Sequence, residues 1–241
     1  MRKRSQLRSK RYHELTVDDL NVELQVHTKQ TDGQSSILEI LETAKARGLA
    51  AIAFTEHVRR DTTWFSQFAS DVREAAQDYK DLAVYVGCEA KALDKAGTLD
   101  ISDEIHEQCD LVLGSVHRFP AENGEYTDWD RLDNSAFALA EFELARGLLN
   151  SGRIHVLAHP GGMFQKRRRR PFPELYLREM MRTSIETGVA IEINTSYQVN
   201  LDKFLELCSE VNPYVSIGSD AHTLGAIGQC RDVLLSRRAG R

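Results

Sequence analysis

The sequence predicts an α/β fold built on a parallel sheet, from three observations. Short β-rich runs alternate with longer helical patterns, and parallel neighbours need such crossovers. The length of 241 residues suits one large domain. Five histidines fall just past the C-terminal ends of five different runs, where a parallel barrel collects its reactive groups on one face.

In chain order, the predicted strands are Val22–Val26, Ala50–Phe54, Leu82–Val86, Leu111–Gly114, Ile154–Ala158, Val189–Ile193 and Tyr214–Ile217. The helical patterns between them are Ile37–Arg47, Phe65–Tyr79, Ser135–Asn150, Glu174–Thr187 and Leu201–Val211, with a short helix at Ser102–Gln108. The first helix is the best signalled. Ser36 and Glu39 form a capping box at its start, and Gly48 stops it. Seven strands can close into a barrel or remain an open doubly wound sheet, and periodicity alone leaves both open.

Residues 1–20 carry the basic run MRKRSQLRSKR and read as a disordered tail, with contact to an anionic partner as the alternative; residues 21–241 form one domain. No apolar h-region follows the basic run, so it is not a secretory signal. Apolar stretches are too short to span a bilayer, which argues against a membrane protein. The net charge of −5 gives no reason to expect nucleic acid as the partner. Four scattered cysteines without a CxxC pair suit a cytoplasmic chain with reduced thiols. The run Gln165–Arg170 (QKRRRR) reads as a charged loop, either solvated or an anion-attracting rim.

The strand-end segments read LQVHT, FTEH, GSVH, LAHP and GSDAH, delivering His27, His57, His117, His159 and His222 to one rim. Glu89 and Asp220 join them. Asp220 and His222 are two residues apart and share a direction in extended chain, as do Gln25 and His27. Mixed imidazole and carboxylate donors suit zinc, manganese or iron better than magnesium or calcium. Asp32, in Thr31-Asp32-Gly33, is either a turn residue or a ligand reaching across the barrel mouth. Glu56 alternates away from the rim and takes a supporting role. His13, His106 and His155 belong to no constellation.

On these residues the chain resembles the PHP (polymerase and histidinol phosphatase) family, in its histidinol-phosphatase-like branch. The matching segments are Gln25-Val26-His27-Thr28 with Thr31-Asp32-Gly33, Thr55-Glu56-His57, Gly87-Cys88-Glu89, Gly114-Ser115-Val116-His117, Ala158-His159-Pro160 and Ser219-Asp220-Ala221-His222, across about Asn21 to Gln229. The resemblance implies a distorted (β/α)7 TIM-like barrel. It also implies up to three divalent metals (zinc, manganese or iron) with Glu89 bridging. Eight of nine ligand positions carry a suitable group: His27, Asp32, His57, Glu89, His117, His159, Asp220 and His222. The ninth is Gln25, where the family has histidine and where a neutral amide is the weaker ligand.

The implied activity is hydrolysis of a small-molecule phosphate monoester by a metal-activated hydroxide, with Glu89, Asp220 and His222 as catalytic residues. Asp220 or His222 would protonate the leaving alkoxide. Candidate phosphate contacts are Arg118, Lys91, Arg59 and an Arg of 167–170, each equally readable as a surface cation. A nucleotide phosphodiesterase or nuclease, and a degenerate non-catalytic metal-binding domain, are the alternatives. The loops Arg118–Asp130 and Gly161–Pro173 are expected to set specificity. Oligomeric state is left open by the sequence.

Overall fold

The computed structural model describes residues 9–120 and 126–239. All seven expected strands are present, preceded by a short one. They are β1 (Lys10–Arg11), β2 (Val22–Val26), β3 (Ala51–Val58), β4 (Ala83–Lys91), β5 (Leu111–Ser115), β6 (Val156–Leu157), β7 (Ala190–Asn194) and β8 (Tyr214–Gly218). The helices are α1 (Ile37–Ala46), α2 (Phe65–Ala75), α3 (Asp103–Gln108), α4 (Asn134–Asn150), α5 (Gly162–Arg168), α6 (Glu174–Thr187), α7 (Leu201–Val211) and α8 (Gln229–Ala239).

Strands β2 to β8 lie in chain order and every adjacent pair is parallel. A doubly wound sheet reverses its strand order at a switch point; this one never reverses, which decides for the barrel. The ends of the ring meet just past β8. There Val26 bridges Ala221, His27 N donates to Ala221 O, and Ala221 N donates to Gln25 O, both at 2.9 Å. This thin seam, a register shift between Glu23 and Val26, and a two-residue β6 make the barrel distorted.

Leu24, Ala53, Leu111, Leu113, Val156, Ala158 and Ala190 fill the barrel interior, while a larger apolar layer joins the strands to the helices outside. That division is the TIM-barrel pattern of a packed interior and an outer helical ring. Gly218 on β8 is required by this crowding: a Cβ there would lie 2.2 Å from Glu192 Oε1 and 2.9 Å from the Gln25 Cβ.

Several sequence expectations are corrected. Residues 9–20 are ordered rather than a tail: β1 pairs antiparallel with β8, Tyr12 N donates to Pro213 O at 2.9 Å, and Lys10 pairs with Asp19 at 2.7 Å. Residues 1–8 of the expected tail lie outside the described residues. The charged run 165–170 is mostly helix, because α5 begins on the Gly161–Gly162 turn and Glu141 of α4 accepts the Met163 and Phe164 N–H groups. The helix expected over Phe65–Tyr79 is α-helical only to Ala75 and ends in a 3-10 turn. The C-terminal α8 carried no expectation. Among the described residues no helix is long and apolar enough to cross a membrane.

Candidate metal centre

The barrel order carries the rim histidines to one place. His27 follows β2, His117 follows β5, His159 follows β6, and Asp220 and His222 follow β8. His57 and Glu89 lie inside longer strands than expected, and β3–β4 register sets them side by side. The β2–α1 loop folds back so that Asp32 reaches the same spot. Gly33 permits this, since a Cβ there would lie 2.0 Å from the His27 carbonyl oxygen. Glu56 buttresses the loop from behind, accepting the Thr28 N–H at 2.7 Å and the Thr31 hydroxyl.

Glu89 sits at the centre. Its Oε1 lies 3.0 Å from His159 Nε2 and 3.1 Å from His117 Nε2. Its Oε2 lies 3.3 Å from His57 Nδ1 and 3.4 Å from His27 Nε2. One carboxylate thus divides its two oxygens between two histidine pairs. Asp220 Oδ1 is 3.1 Å from His27 Nε2, while Asp32 faces His57 and His222 at 3.4 and 3.3 Å. Burial is graded: the side chains of His27, Glu89 and His159 are at most 2% exposed, whereas Asp32 is 54% exposed. The cluster therefore has a dry floor and an open mouth.

The donors fit metal ions. Three overlapping groups have the spacing to hold a cation: His27–Asp32–His57–His222, His57–Glu89–His117 and His27–Glu89–Asp220. Both ring nitrogens of His27, Glu89 Oε2 and Asp220 Oδ1 are buried without a hydrogen-bond partner. Such atoms cost free energy unless something compensates them. His222 has the appropriate tautomer. Its Nδ1 faces the Asp220 carbonyl at 2.9 Å and must carry the proton there, leaving the Nε2 lone pair towards the cluster.

Without metal, the charges of the cluster hold one another. Burial alone would lower the His27 pKa, but Asp220 and Glu89 carry it up to about 10; His159 rises to about 9, mainly against Glu89. Burial opposes ionisation of Glu89 and Asp220 too, yet the histidines hold Glu89 well below the ordinary range and Asp220 near 2. His57 is lowered by burial.

β7 and the loop after it offer three residues that the sequence did not point to. Glu192 accepts the His159 N–H at 2.7 Å, fixing a backbone with φ of 30°. Asn194 Nδ2 donates to Glu192 at 3.3 Å and lies 3.5 Å from the Gln25 oxygen, while Gln25 Nε2 has no partner. Tyr197 stacks on His159, with centroids 4.5 Å apart, and its hydroxyl donates to Asp220 Oδ2 at 2.8 Å. Burial beside Asp220 pushes its pKa well up, so it remains a donor.

The cation candidates separate. Lys91 pairs with Asp100 at 3.1 Å, and Arg118 lies over the Tyr126 ring, 4.8 Å from its centroid. Arg59 is exposed. Arg168 donates to the Trp129 and Leu132 carbonyls, a structural use. His155 and His106 serve the fold: His155 Nδ1 accepts the Val112 N–H, and His106 Nε2 meets Arg153 O at 2.8 Å. Of the expected specificity loop Arg118–Asp130, residues 121–125 lie outside the described residues.

Residues 23–196, well over half the chain, match the PHP domain. The chain belongs to the PHP family. A "Probable phosphatase" of Caldicellulosiruptor bescii is 27% identical over 220 residues, covering 88% of this chain and 83% of the relative. "Probable phosphatase YcdX" of Escherichia coli K12 is 25% identical over 224 residues, with coverages of 88% and 83%. The fold is that of the histidinol phosphate phosphatase of Lactococcus lactis, solved with zinc, L-histidinol and phosphate: TM-score 0.66, 15% identity, 90% of this chain and 92% of that one. The hisK protein of Listeria monocytogenes gives a TM-score of 0.72 at 16% identity, covering 88% and 99%. Family, relatives and donor clusters together support a metal-dependent phosphatase.

Proposed function

We propose that this PHP chain hydrolyses small-molecule phosphate monoesters, with His27, Asp32, His57, Glu89, His117, His159, Asp220 and His222 as metal ligands. The observation that carries the reading is the division of the Glu89 oxygens between His117/His159 and His27/His57, which suits a carboxylate shared by neighbouring cations. Bound divalent metals would activate water and neutralise phosphate charge. The chain's own residues supply the rest. Glu89 and His27 form a water-poor floor where electrostatic interactions are strong. Tyr197 orients Asp220, and Glu192 fixes His159. His222 stands at the open side, its Nδ1–H held on the Asp220 carbonyl and its Nε2 directed to the metal position. Buried, unpaired thiols at Cys88, Cys109, Cys208 and Cys230 support a cytoplasmic location.

The test is hydrolysis of p-nitrophenyl phosphate, bis-p-nitrophenyl phosphate and histidinol phosphate with Mn²⁺, Zn²⁺ or Fe²⁺. We expect metal-dependent turnover of monoesters and its loss in Glu89→Ala and Asp220→Ala. Turnover of the diester alone would move the assignment to phosphodiesterase chemistry. Undiminished turnover in either variant would remove the assignment of the cluster.

A further inference from the structure

We propose that the cavity beside Asp220 and His222 receives a second anionic group, phosphate or carboxylate, carried on the leaving alcohol of the substrate. This rests on the phosphomonoesterase reading and names its substrate class. The cavity, about 600 Å³, is lined by Asp220, His222, Tyr197 and Gln198 on one side and by Lys166 and Arg169 on the other. That volume holds a small organic phosphate rather than the reacting phosphate alone.

Lys166 lies in the last turn of α5 and Arg169 is its left-handed C-cap, and both line the cavity. Their neighbours are engaged elsewhere: Arg168 donates to backbone carbonyls, and Arg167 lies over the Trp129 ring. Lys166 Nζ sits 5.2 Å from the centroid of Tyr197, the ring that touches both His159 and Asp220. Among the described residues no carboxylate lies within ion-pair distance of Lys166 or Arg169, Asp220 included. The two cations thus border the cavity of the cluster but stand back from its carboxylates. A ligand extending from the metal centre would meet them.

The wall that carries them is built to hold position. Buried Gln165 donates to Gln198 Oε1 at 3.0 Å and accepts the Val199 N–H at 2.9 Å, lacing α5 to the loop after β7. Gln198 in turn donates to Pro160 O at 3.3 Å. Buried Glu141 takes two N–H groups at the start of the helix. Four non-glycine residues among those described have positive φ, and three of them, His159, Arg169 and Asp220, belong to the cluster or this cavity. Backbone strain of this kind persists where the surroundings enforce it and concentrates at functional sites. Two unpaired cations on a braced wall, in a chain of net charge −5, would draw an anion into the mouth. A leaving group bearing an ammonium, by contrast, would meet like charge.

The experiment compares kcat/KM within matched pairs: fructose 1,6-bisphosphate against fructose 6-phosphate, and 3-phosphoglycerate against glycerol 3-phosphate. The first pair tests a distal phosphate and the second a carboxylate. Wild-type protein is expected to prefer the doubly anionic member of at least one pair, chiefly through KM. In Lys166→Ala/Arg169→Ala that preference ratio should fall by about tenfold, the size of two partly exposed ion pairs. Lys166→Glu/Arg169→Glu should instead shift preference towards phosphoethanolamine, whose leaving group is cationic. A wild type with no preference in either pair, or a preference that survives both variants, overturns the proposal. So does an equal loss on both members, which would assign the cations to the reacting phosphate. If no monoester is turned over with any metal, the phosphoesterase reading fails by itself. Calorimetric binding of fructose 1,6-bisphosphate to wild type and the double alanine variant then still decides the cavity: equal or absent binding refutes it.

Discussion

The Tyr197 hydroxyl donates to Asp220 Oδ2 at 2.8 Å while the tyrosine ring stacks on His159. One side chain, just past β7, thereby steadies cluster residues from the two flanking strands, β6 and β8. Tyr197→Phe keeps the ring and removes only the donor. Loss of an outer partner of a metal ligand costs about ten- to hundredfold in metal affinity or activity. We expect Tyr197→Phe to lower kcat/KM for p-nitrophenyl phosphate within that range, with thermal stability of the metal-free protein nearly unchanged. Kinetics over a metal titration, with circular dichroism as the fold control, check this.

Tyr197 also marks the limit of what the sequence discloses. The histidines were legible because each sits at a strand end, and barrel topology turns five such ends into one place. His27, His57, His117, His159 and His222 therefore needed no coordinates to be grouped. Glu192 acts from within β7 on the His159 backbone, and Tyr197 and Gln165 act through the loop after β7 and the pose of α5, none of which a local period encodes. α5 was hidden because a double glycine and a run of cations resemble a loop, and its start is secured by Glu141 from another helix. β1 was hidden because two basic residues, one exposed and one half-buried, carry no apolar alternation; its order comes from pairing with β8.

Metal binding should be strongly pH-dependent. In the metal-free cluster His27 keeps its proton up to about pH 10 and His159 up to about 9. A cation must expel both protons to reach those nitrogens. Apparent affinity should therefore rise steeply with pH below about 9, by up to roughly a hundredfold per unit when two protons leave. For the metal-free fold the sign is opposite. The raised pKa of His27 stabilises fully below its unfolded value near 6.5, and this is lost as pH rises through about 10. Zinc competition against a chelator at pH 6, 7 and 8 checks the first statement; a flat affinity would contradict it.

Gln25, at the position where the resemblance to the family places a histidine, has its Nε2 buried and unpartnered and its oxygen 3.5 Å from Asn194. An amide oxygen is a weak ligand for zinc-like metals. The expected outcome is a metal content below three equivalents per chain, and about one equivalent more in Gln25→His. Elemental analysis after equilibration in micromolar metal decides it. Equal contents in the two proteins would mean that Gln25 is not a ligand position in this chain.

Glu141, which braces the start of α5 and feels the charge of His159, offers a pH test of the wall. Burial pushes its pKa from 4.5 up to about 7, against the opposing pull of the Phe164 and Met163 N–H groups. A carboxyl with a raised folded pKa stabilises fully below its unfolded value, and that contribution is lost as pH rises through the folded one. Glu141 thus favours the folded state at pH 4.5 and forfeits up to about 3 kcal/mol of that by pH 8, at 1.36 kcal/mol per unit. Glu141→Gln keeps an oxygen for the helix N–H groups but cannot ionise. The difference in unfolding free energy between the two proteins therefore reports this group together with its coupling to His159. Relative to wild type, the variant should gain stability from pH 4.5 to about 7 and level off towards pH 8. Urea denaturation of metal-free protein across that window measures the slope, and a pH-independent difference would show that Glu141 does not titrate between those limits.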